Sequence, residues 1–429
     1  MMSSMTLTSA TSPALLRRIN LVRVLQELRR SGPLSRADVA RATGLSRPTV
    51  SAVVADLEYA GYVRASGSSG DGLMGRPGQR YEFRADRAYV VGVDIGAHKI
   101  VMLLADLNGQ VVARRHADTR TTGGTASGAL MLRVAAEADA LLLQGGVARA
   151  DLLTVVAGTP GVVSDAGVLQ LAPQLAGWEG LDLRAAISQI FGCPALVDRE
   201  TSLSLIAEQW LGHAKGLSDA LYLHISVGIS AALLVDGKIR RGANGAAGEI
   251  GLMPLEGVTT GGFGPFESAV GGVGLARAGE QLARSENGQL LLNLAGGNPT
   301  AVDAAVVFRA AAAGDNAAAA IVSRAIDGLA IGVSALVCAL NPSAVIVSGG
   351  VSLAGDQLLG PLEQRVAAMT PYPPTFHLSL LGDEAPALGA LRLATDDIEE
   401  RLVATMVPAE RDPHMSVRHP THIPAETGP

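Results

Sequence analysis

From Tyr89 onward, apolar runs of strand length alternate with longer alanine-rich stretches of helical spacing. The runs are Tyr89–Asp94, Leu152–Ala157, Leu221–Ser226 and Val345–Ser348, and the helical stretches are Leu130–Leu143, Leu183–Ile190, Ala301–Ala313 and Ala317–Leu340. This alternation predicts an α/β fold with helices covering a sheet. Two turn sequences, Asp106-Leu107-Asn108-Gly109 and Asp236-Gly237, each lie between β-like runs and predict hairpins. Their recurrence points to two similar halves. With 48% apolar residues over 429 positions, the chain can bury large cores.

The segment ahead of Asp86 is built differently. Between Ala14 and Ser66 stand nine arginines against Glu27, Asp38, Asp56 and Glu58, a local balance of +5 in a chain of net charge −6. A positive module on an acidic body fits a polyanionic partner. Apolar residues Ile19, Val22, Leu25 and Leu28 recur at helical spacing and predict a first helix over Arg18–Leu28 with one buried stripe. Ser35 is a good N-cap with Asp38 three residues on, and Gly44 can close that second helix in a left-handed turn. Ser46 then caps a third helix that should bury Val50, Val53, Val54 and Leu57.

Residues in the first turn of such a helix are those that reach base edges when a helix-turn-helix docks in the major groove, which makes Ser46, Arg47, Thr49 and Ser51 candidates. The segments Tyr62–Arg64 and Gln79–Phe83 flank a Gly/Ser-rich loop like two strands of a wing, with Arg64 on one strand as a further DNA-binding candidate and Arg76 at the loop's base, where it could reach a phosphate or the minor groove. The plainer alternative is a small helical bundle with a solvated arginine face; caps, turn, wing and charge together favour double-stranded DNA.

Apolar stretches such as Gly328–Leu340 are broken by small residues and fall short of the ~20 residues of a bilayer span. The two cysteines, Cys193 and Cys338, have no metal-type spacing, and the first dozen residues lack the apolar core of a secretion signal. A cytoplasmic, disulfide-free protein without a membrane partner is expected. The expected domains are 14–85 and 86–398, with 399–429, rich in Pro, His and charge, as a disordered tail.

Within the second domain, Asp94-Ile95-Gly96 ends a strand, where glycine would let backbone amides approach a phosphate. Alone it reads equally well as a tight turn. Further motifs follow in order: Ala157-Gly158-Thr159-Pro160-Gly161, Ala172-Pro173-Gln174-Leu175-Ala176-Gly177-Trp178, Val227-Gly228-Ile229-Ser230, Gly248-Glu249-Ile250-Gly251, and Asn341-Pro342 leading to Gly349-Gly350. In this order they resemble the ROK family of repressors and sugar kinases. The resemblance implies a winged helix-turn-helix (α+β) followed by a two-lobed α/β, actin-like (ribonuclease H-like) sugar-kinase fold. It also implies a vestigial nucleotide site at Asp94, Gly96, Gly228, Gly349 and Gly350.

The chain departs from the family where chemistry is done. Kinases of the family carry an Asn-Asp pair, the Asp being the general base, where this chain has Arg199 and Glu200. A longer side chain misplaces the carboxylate by ~1 Å, which can cost a hundredfold in rate, and Arg199 is expected to pair with Glu200 beside it. The family's Gly-Thr-Gly-Ile-Gly phosphate loop reads Ser226-Val227-Gly228-Ile229-Ser230. The zinc-binding His is Leu252, and the segment from Thr259 to Glu267 has no cysteine, so no thiolate zinc site and no cofactor are expected.

Glu249 and Glu267, with Glu200 and Asn244, remain as candidate contacts to the hydroxyls of a carbohydrate effector. The plain alternative for the glutamates is surface carboxylates or helix caps. Gln174 is a weaker candidate, Trp178 is expected in the core and His98 in a turn. The leading expectation is a sugar-controlled regulator, a homodimer or larger homo-oligomer. The alternatives are an ATP-dependent sugar kinase with an accessory DNA-binding module, or a constitutive DNA-binding protein without a ligand.

Overall fold

The computed structural model describes residues 13–68, 79–119, 127–172, 175, 177–254, 264–396 and 398–406. Two compact units divide the chain: 1–84 together with 397–429, and 85–396.

The smaller unit opens with α1 (Pro13–Ser31), the two-residue strand β1 (Leu34–Ser35), α2 (Arg36–Thr43) and α3 (Arg47–Tyr59), then β2 (Val63–Ser68) and β3 (Gln79–Phe83). The strands form one antiparallel sheet in the order β1-β3-β2. Ser35 and Asp38 form a reciprocal capping box on α2, and Gly44 closes it in the left-handed conformation at φ 72°. Val50, Val53, Val54 and Leu57 of α3 are all buried as expected. The buried stripe of α1 is Leu21, Val24, Leu25 and Leu28. Ile19 is exposed and Val22 only half-buried, because residues spaced strictly by three step around a helix of about 3.6 residues per turn and leave the buried face; α1 also starts five residues earlier than its pattern suggested.

A second correction concerns 399–429. Residues Ile398–Met406 form a helix that packs along α1, burying Ile398, Leu402 and Val403. Arg29 Nη1 donates to Glu399 Oε1 at 2.8 Å, and the Tyr62 and Thr405 hydroxyls meet at 3.3 Å. An apolar i, i+4, i+5 stripe is hidden there in a composition that otherwise looks disordered. Residues 407–429 lie outside the described residues.

The larger unit holds two five-stranded sheets. The first is made by β4 (Tyr89–Ile95), β5 (Lys99–Asp106), β6 (Val111–Asp118), β7 (Leu152–Thr159) and β10 (Ala195–Arg199), in the order β10-β7-β4-β5-β6. Helices α4 (Ser127–Gly145) and α5 (Leu183–Phe191) pack on it, and a short ribbon of β8 (Val162–Val163) and β9 (Leu169–Leu171) stands beside it. Helix α6 (Glu200–Leu211) leads on to the second sheet: β11 (Ala220–Ile225), β12 (Ile229–Val235), β13 (Lys238–Arg240), β14 (Ala344–Ser348) and β15 (Thr375–Leu378), in the order β13-β12-β11-β14-β15.

Each sheet is a three-stranded antiparallel meander followed by two parallel strands, so the two halves repeat one topology. Both predicted hairpin turns are present. Asp106 Oδ1 accepts from the amides of Asn108 and Gln110, and Asp236-Gly237 adopts φ 52° and 73°.

Helices α7 (Pro265–Val270), α8 (Gly272–Ala283), α9 (Gln289–Leu294), α10 (Ala304–Ala312), α11 (Asn316–Leu340) and α12 (Asp356–Met369) build the core of the second sheet. At 25 residues α11 is longer than its apolar core suggested, and by length and composition it could cross a membrane. Its buried side chains instead pack in this core, with 56% of its apolar window covered.

The last helix of this unit, α13 (Ala385–Thr395), packs on the first sheet, while α6 packs on the second. Each connector therefore leaves one sheet and covers the other. They cross so closely that a Cβ on Gly389 would stand 1.7 Å from the Leu203 carbonyl oxygen, and one on Gly92 would stand 2.3 Å from that of Ala387.

Candidate functional site

The DNA-reading candidates sit at the start of α3. Ser46 caps the helix: its Oγ accepts from the Thr49 amide at 3.3 Å and meets Thr49 Oγ1 at 2.8 Å, so both hydroxyls hold the helix start. Arg47 is exposed and makes no ion pair among the described residues, while Ser51 is half-buried one turn on. Arg64 Nε donates to Glu82 Oε1 across the wing at 2.6 Å. Arg76 lies outside the described residues, as do Gln174 and 255–263, which include the first part of the cysteine-free segment from Thr259 to Glu267.

In the larger unit, β4 delivers Asp94 and β10 delivers Arg199, with Glu200 opening α6. Asp94 is 1% exposed, and neither carboxylate oxygen has a hydrogen-bond partner. Burial and the neighbouring Glu200 charge hold its carboxyl well above the usual range. Gly96 follows, its amide donating to the Lys99 carbonyl, and Lys99 Nζ pairs with Asp383 Oδ1 at 2.9 Å.

Arg199 does not pair with Glu200. Its side chain leaves the N-cap of α6 in the other direction, donating to the Ala247 carbonyl and, at 2.5 Å, to Glu249 Oε1. Arg199 is 3% and Glu249 20% exposed. Burial raises the Glu249 carboxyl in spite of the Arg199 charge, with Glu267 and Glu200 adding to the rise. The neighbouring Asp198 accepts the Arg199 backbone N–H on Oδ1 and pairs with Arg241 through Oδ2, at 2.5 and 2.9 Å.

Glu267 takes the position of a cap. Its Oε1 accepts from Gly264 N at 2.8 Å and its Oε2 from Ile229 N at 3.2 Å, tying α7 to β12. Asn244 is exposed in a turn, Trp178 is fully buried and His98 is an exposed turn residue.

The turn from Ser226 to Ile229 faces the start of α8. The carbonyls of Ser226 and Val227 accept from Gly272 N (2.8 Å) and Val273 N (3.0 Å), and Val227 is 39% exposed. Gly349, at φ 89°, lets β14 turn directly over Ile225; a Cβ there would stand 2.3 Å from the Ile225 carbonyl oxygen, and Gly350 follows it. Leu252, at the position of the family's zinc-binding histidine, offers no ligand, so the residues present do not fit that metal.

Sequence reasoning missed a polar network on the other face of β11. Tyr222 bonds Ser348 and Ser204, and burial pushes its hydroxyl up to about 12. His224 Nδ1 meets Ser348 Oγ at 3.1 Å, and burial holds its imidazole below the usual range. Strand parity carried the signal, since Tyr222 and His224 alternate with Leu221, Leu223 and Ile225, which enter the core.

Comparison with known proteins agrees with this layout. Residues 90–397 match the ROK family and 22–72 the MarR family. The xylose repressor of Caldicellulosiruptor bescii is 26% identical over 90% of this chain and 97% of its own length. The glucokinase of Halalkalibacterium halodurans is 31% identical over 71% of this chain and 94% of its own. The crystal structure of a ROK family transcriptional regulator, a homologue of the E. coli MLC protein, superposes with a TM-score of 0.68 at 19% identity, covering 91% of this chain and 99% of that one. The fold is thus a MarR-like winged helix-turn-helix joined to an actin-like sugar-kinase fold, and the chain, a DNA-binding transcriptional regulator, belongs to the ROK family.

Proposed function

We propose that this regulator is a repressor controlled by a carbohydrate, which its larger unit binds without phosphorylating. The observation that carries this reading is the Arg199–Glu249 pair. It puts a guanidinium where the kinases of the family need a neutral amide beside the base, and ties up one of the carboxylates that would face substrate. Phosphoryl transfer depends on placing hydroxyl, base and phosphates together. Here the base position holds Glu200, Ser226 and Ser230 replace bare backbone in the phosphate turn, and Val227 replaces its threonine hydroxyl.

Binding requires less. Glu249, Glu200 and Asn244 can accept sugar hydroxyls, and Arg199 can donate to sugar oxygens when a ligand competes for Glu249. Glu267 contributes by holding the turn at Ile229. A sugar that prefers one arrangement of the two sheets shifts the population toward it. The repressor name of a relative that aligns with 90% of the chain supports the direction of control. The unpartnered Asp94 carboxylate favours the competing reading of a kinase, since a buried charge without partners is costly in the absence of a ligand or cation.

The deciding experiment is a coupled assay with ATP and magnesium over hexoses and N-acetylhexosamines, run beside thermal unfolding and operator binding. No turnover is expected. One sugar should stabilise the protein, by about 2.7 kcal/mol at a hundredfold excess over Kd, and Glu249→Gln should weaken that effect. Turnover abolished by Glu200→Gln would establish the kinase instead.

At the operator, Ser46 and Thr49 set the start of the reading helix, Arg47 and Ser51 reach base edges, and Arg64 and Arg76 hold the backbone. Arg47→Ala should cost about 1–3 kcal/mol on specific DNA and much less on random DNA; equal losses on both would make Arg47 a phosphate contact. Two copies should bind half-sites about 34 Å apart, which light scattering of the DNA complex tests.

A further inference from the structure

Of the 34 basic residues in the chain only three are lysine, at 99, 215 and 238, and only two residues are tryptophan. Lys99 and Trp178 are accounted for, one paired with Asp383 and one fully buried. Both remaining lysines and the remaining tryptophan line one groove of about 700 Å³. It lies between the C-terminal half of α6, the β12–β13 hairpin and the end of α13, while the candidate effector residues Glu200 and Arg199 are at the opposite end of α6.

Lys215 and Lys238 are exposed, and neither makes an ion pair among the described residues. Arg241 and Arg392 add two more cations against a single lining carboxylate, Asp396, which Arg392 holds at 2.9 Å. The guanidinium of Arg392 lies 5.9 Å from the centre of the Trp210 ring. Ile206, Ile239 and Leu393 complete an apolar floor. A flat aromatic wall beside a cluster of cations suits a ligand with an apolar or planar body and a concentrated negative charge. Lysine ammonium groups on flexible stems act as point charges for phosphate, and a phosphomonoester carries about −1.5 to −2 near neutral pH.

We propose that this groove binds a small phosphomonoester, its phosphoryl group held by Lys215, Lys238 and Arg241 and its body laid against Trp210. The site is separate from the carbohydrate site proposed above and does not rest on it. It is nonetheless joined to that region by covalent neighbours, because Arg241 now pairs with Asp198, which precedes Arg199. A phosphate drawing Arg241 away from Asp198 loosens the strand end that positions the Arg199–Glu249 pair.

Tryptophan fluorescence of the full-length protein tests this directly, since Trp178 is sealed in the core and Trp210 faces the groove. Inorganic phosphate, a hexose 6-phosphate, a nucleoside 5′-monophosphate and the free hexose are titrated in turn. At least one phosphomonoester should give a saturable change, binding about tenfold or more tighter than inorganic phosphate, and the Lys215→Gln/Lys238→Gln variant should weaken it by a similar factor, near 1.4 kcal/mol. Trp210→Phe should remove the signal.

A response to the hexose phosphate alone assigns a sugar body, and one to the nucleotide alone assigns a base stacked on the indole. The lysines are exposed, so circular dichroism of the double variant should match the wild type. The proposal is overturned by the absence of saturable change with either phosphomonoester, by equal binding of the free hexose or of inorganic phosphate, or by undiminished binding in the double variant.

Discussion

The two sheets of the larger unit share a topology, yet the turns at equivalent places in them have taken opposite courses. In the first, the turn after β4 keeps its glycine and leaves the carboxylate of Asp94 buried with no partner. In the second, the turn after β11 has its polar groups consumed internally: the Ser226 and Val227 carbonyls by α8, the Ile229 amide by Glu267. One turn leaves a buried carboxyl without a hydrogen-bond partner and the other is already satisfied. The two turns can differ in this way because each is stable or unstable on local grounds alone.

The sharpest way to break that contrast is Glu267→Ala. It would strand the Gly264 and Ile229 amides in the core, each worth about 1–3 kcal/mol, so chemical denaturation should show a loss of roughly 2–4 kcal/mol. A loss below about 1 kcal/mol would mean that Glu267 is not what holds the second turn.

The opposite sign is expected at Asp94→Asn, which should stabilise by about 1–3 kcal/mol at neutral pH by removing a buried ionisable carboxyl that has no hydrogen-bond partner. The folded-state pKa of Asp94 is raised, so the native state binds the proton more tightly than the unfolded chain does. The wild type accordingly loses stability as pH rises from the ordinary carboxylate range through that raised value. The advantage of the variant should therefore shrink toward pH 4 and grow as pH rises toward neutral. An advantage independent of pH would show that charge is not the cause.

The smallest effect is expected at Val227→Thr, which puts back the family's residue, within about 0.5 kcal/mol of wild type because the two side chains are similar in shape and this one is partly exposed to solvent. It should yield no turnover in the coupled assay, since the Arg199–Glu249 pair persists. Activity on restoring this one threonine would locate the block in the phosphate turn.

What could be read from the sequence was chemistry that acts over three or four residues. The Ser35–Asp38 box, the left-handed Gly44, the Ser46 cap and the Asp236-Gly237 hairpin each specify their own backbone. Gly264-Pro265-Phe266-Glu267 was legible in the same way, since proline at the start of a helix and glutamate at its third position announce a cap. The helix-cap alternative for Glu267 is the one whose hydrogen bonds are present.

The partner of Arg199 was not legible, because it depends on which way a long side chain leaves an N-cap and on where residues 247–249 arrive, some fifty positions later in the chain. The Ile19 and Val22 assignment failed because residues spaced strictly by three precess around the helix, whereas the buried stripe follows the three-and-four spacing of Leu21, Val24, Leu25 and Leu28. The groove around Trp210 was invisible for the same reason, its lysines being brought together by a hairpin and a helix end.

The helix Ile398–Met406 has a consequence for synthesis. It completes the packing of α1 in the DNA-reading head, but its Glu399 lies 370 residues beyond Arg29. At ribosomal rates of about 5–20 residues per second, the head waits on the order of 20–70 s between the emergence of its first helix and the arrival of its last. A nascent or prematurely terminated chain thus carries a recognition helix without its full support, and operator binding becomes a property of chains translated past residue 406.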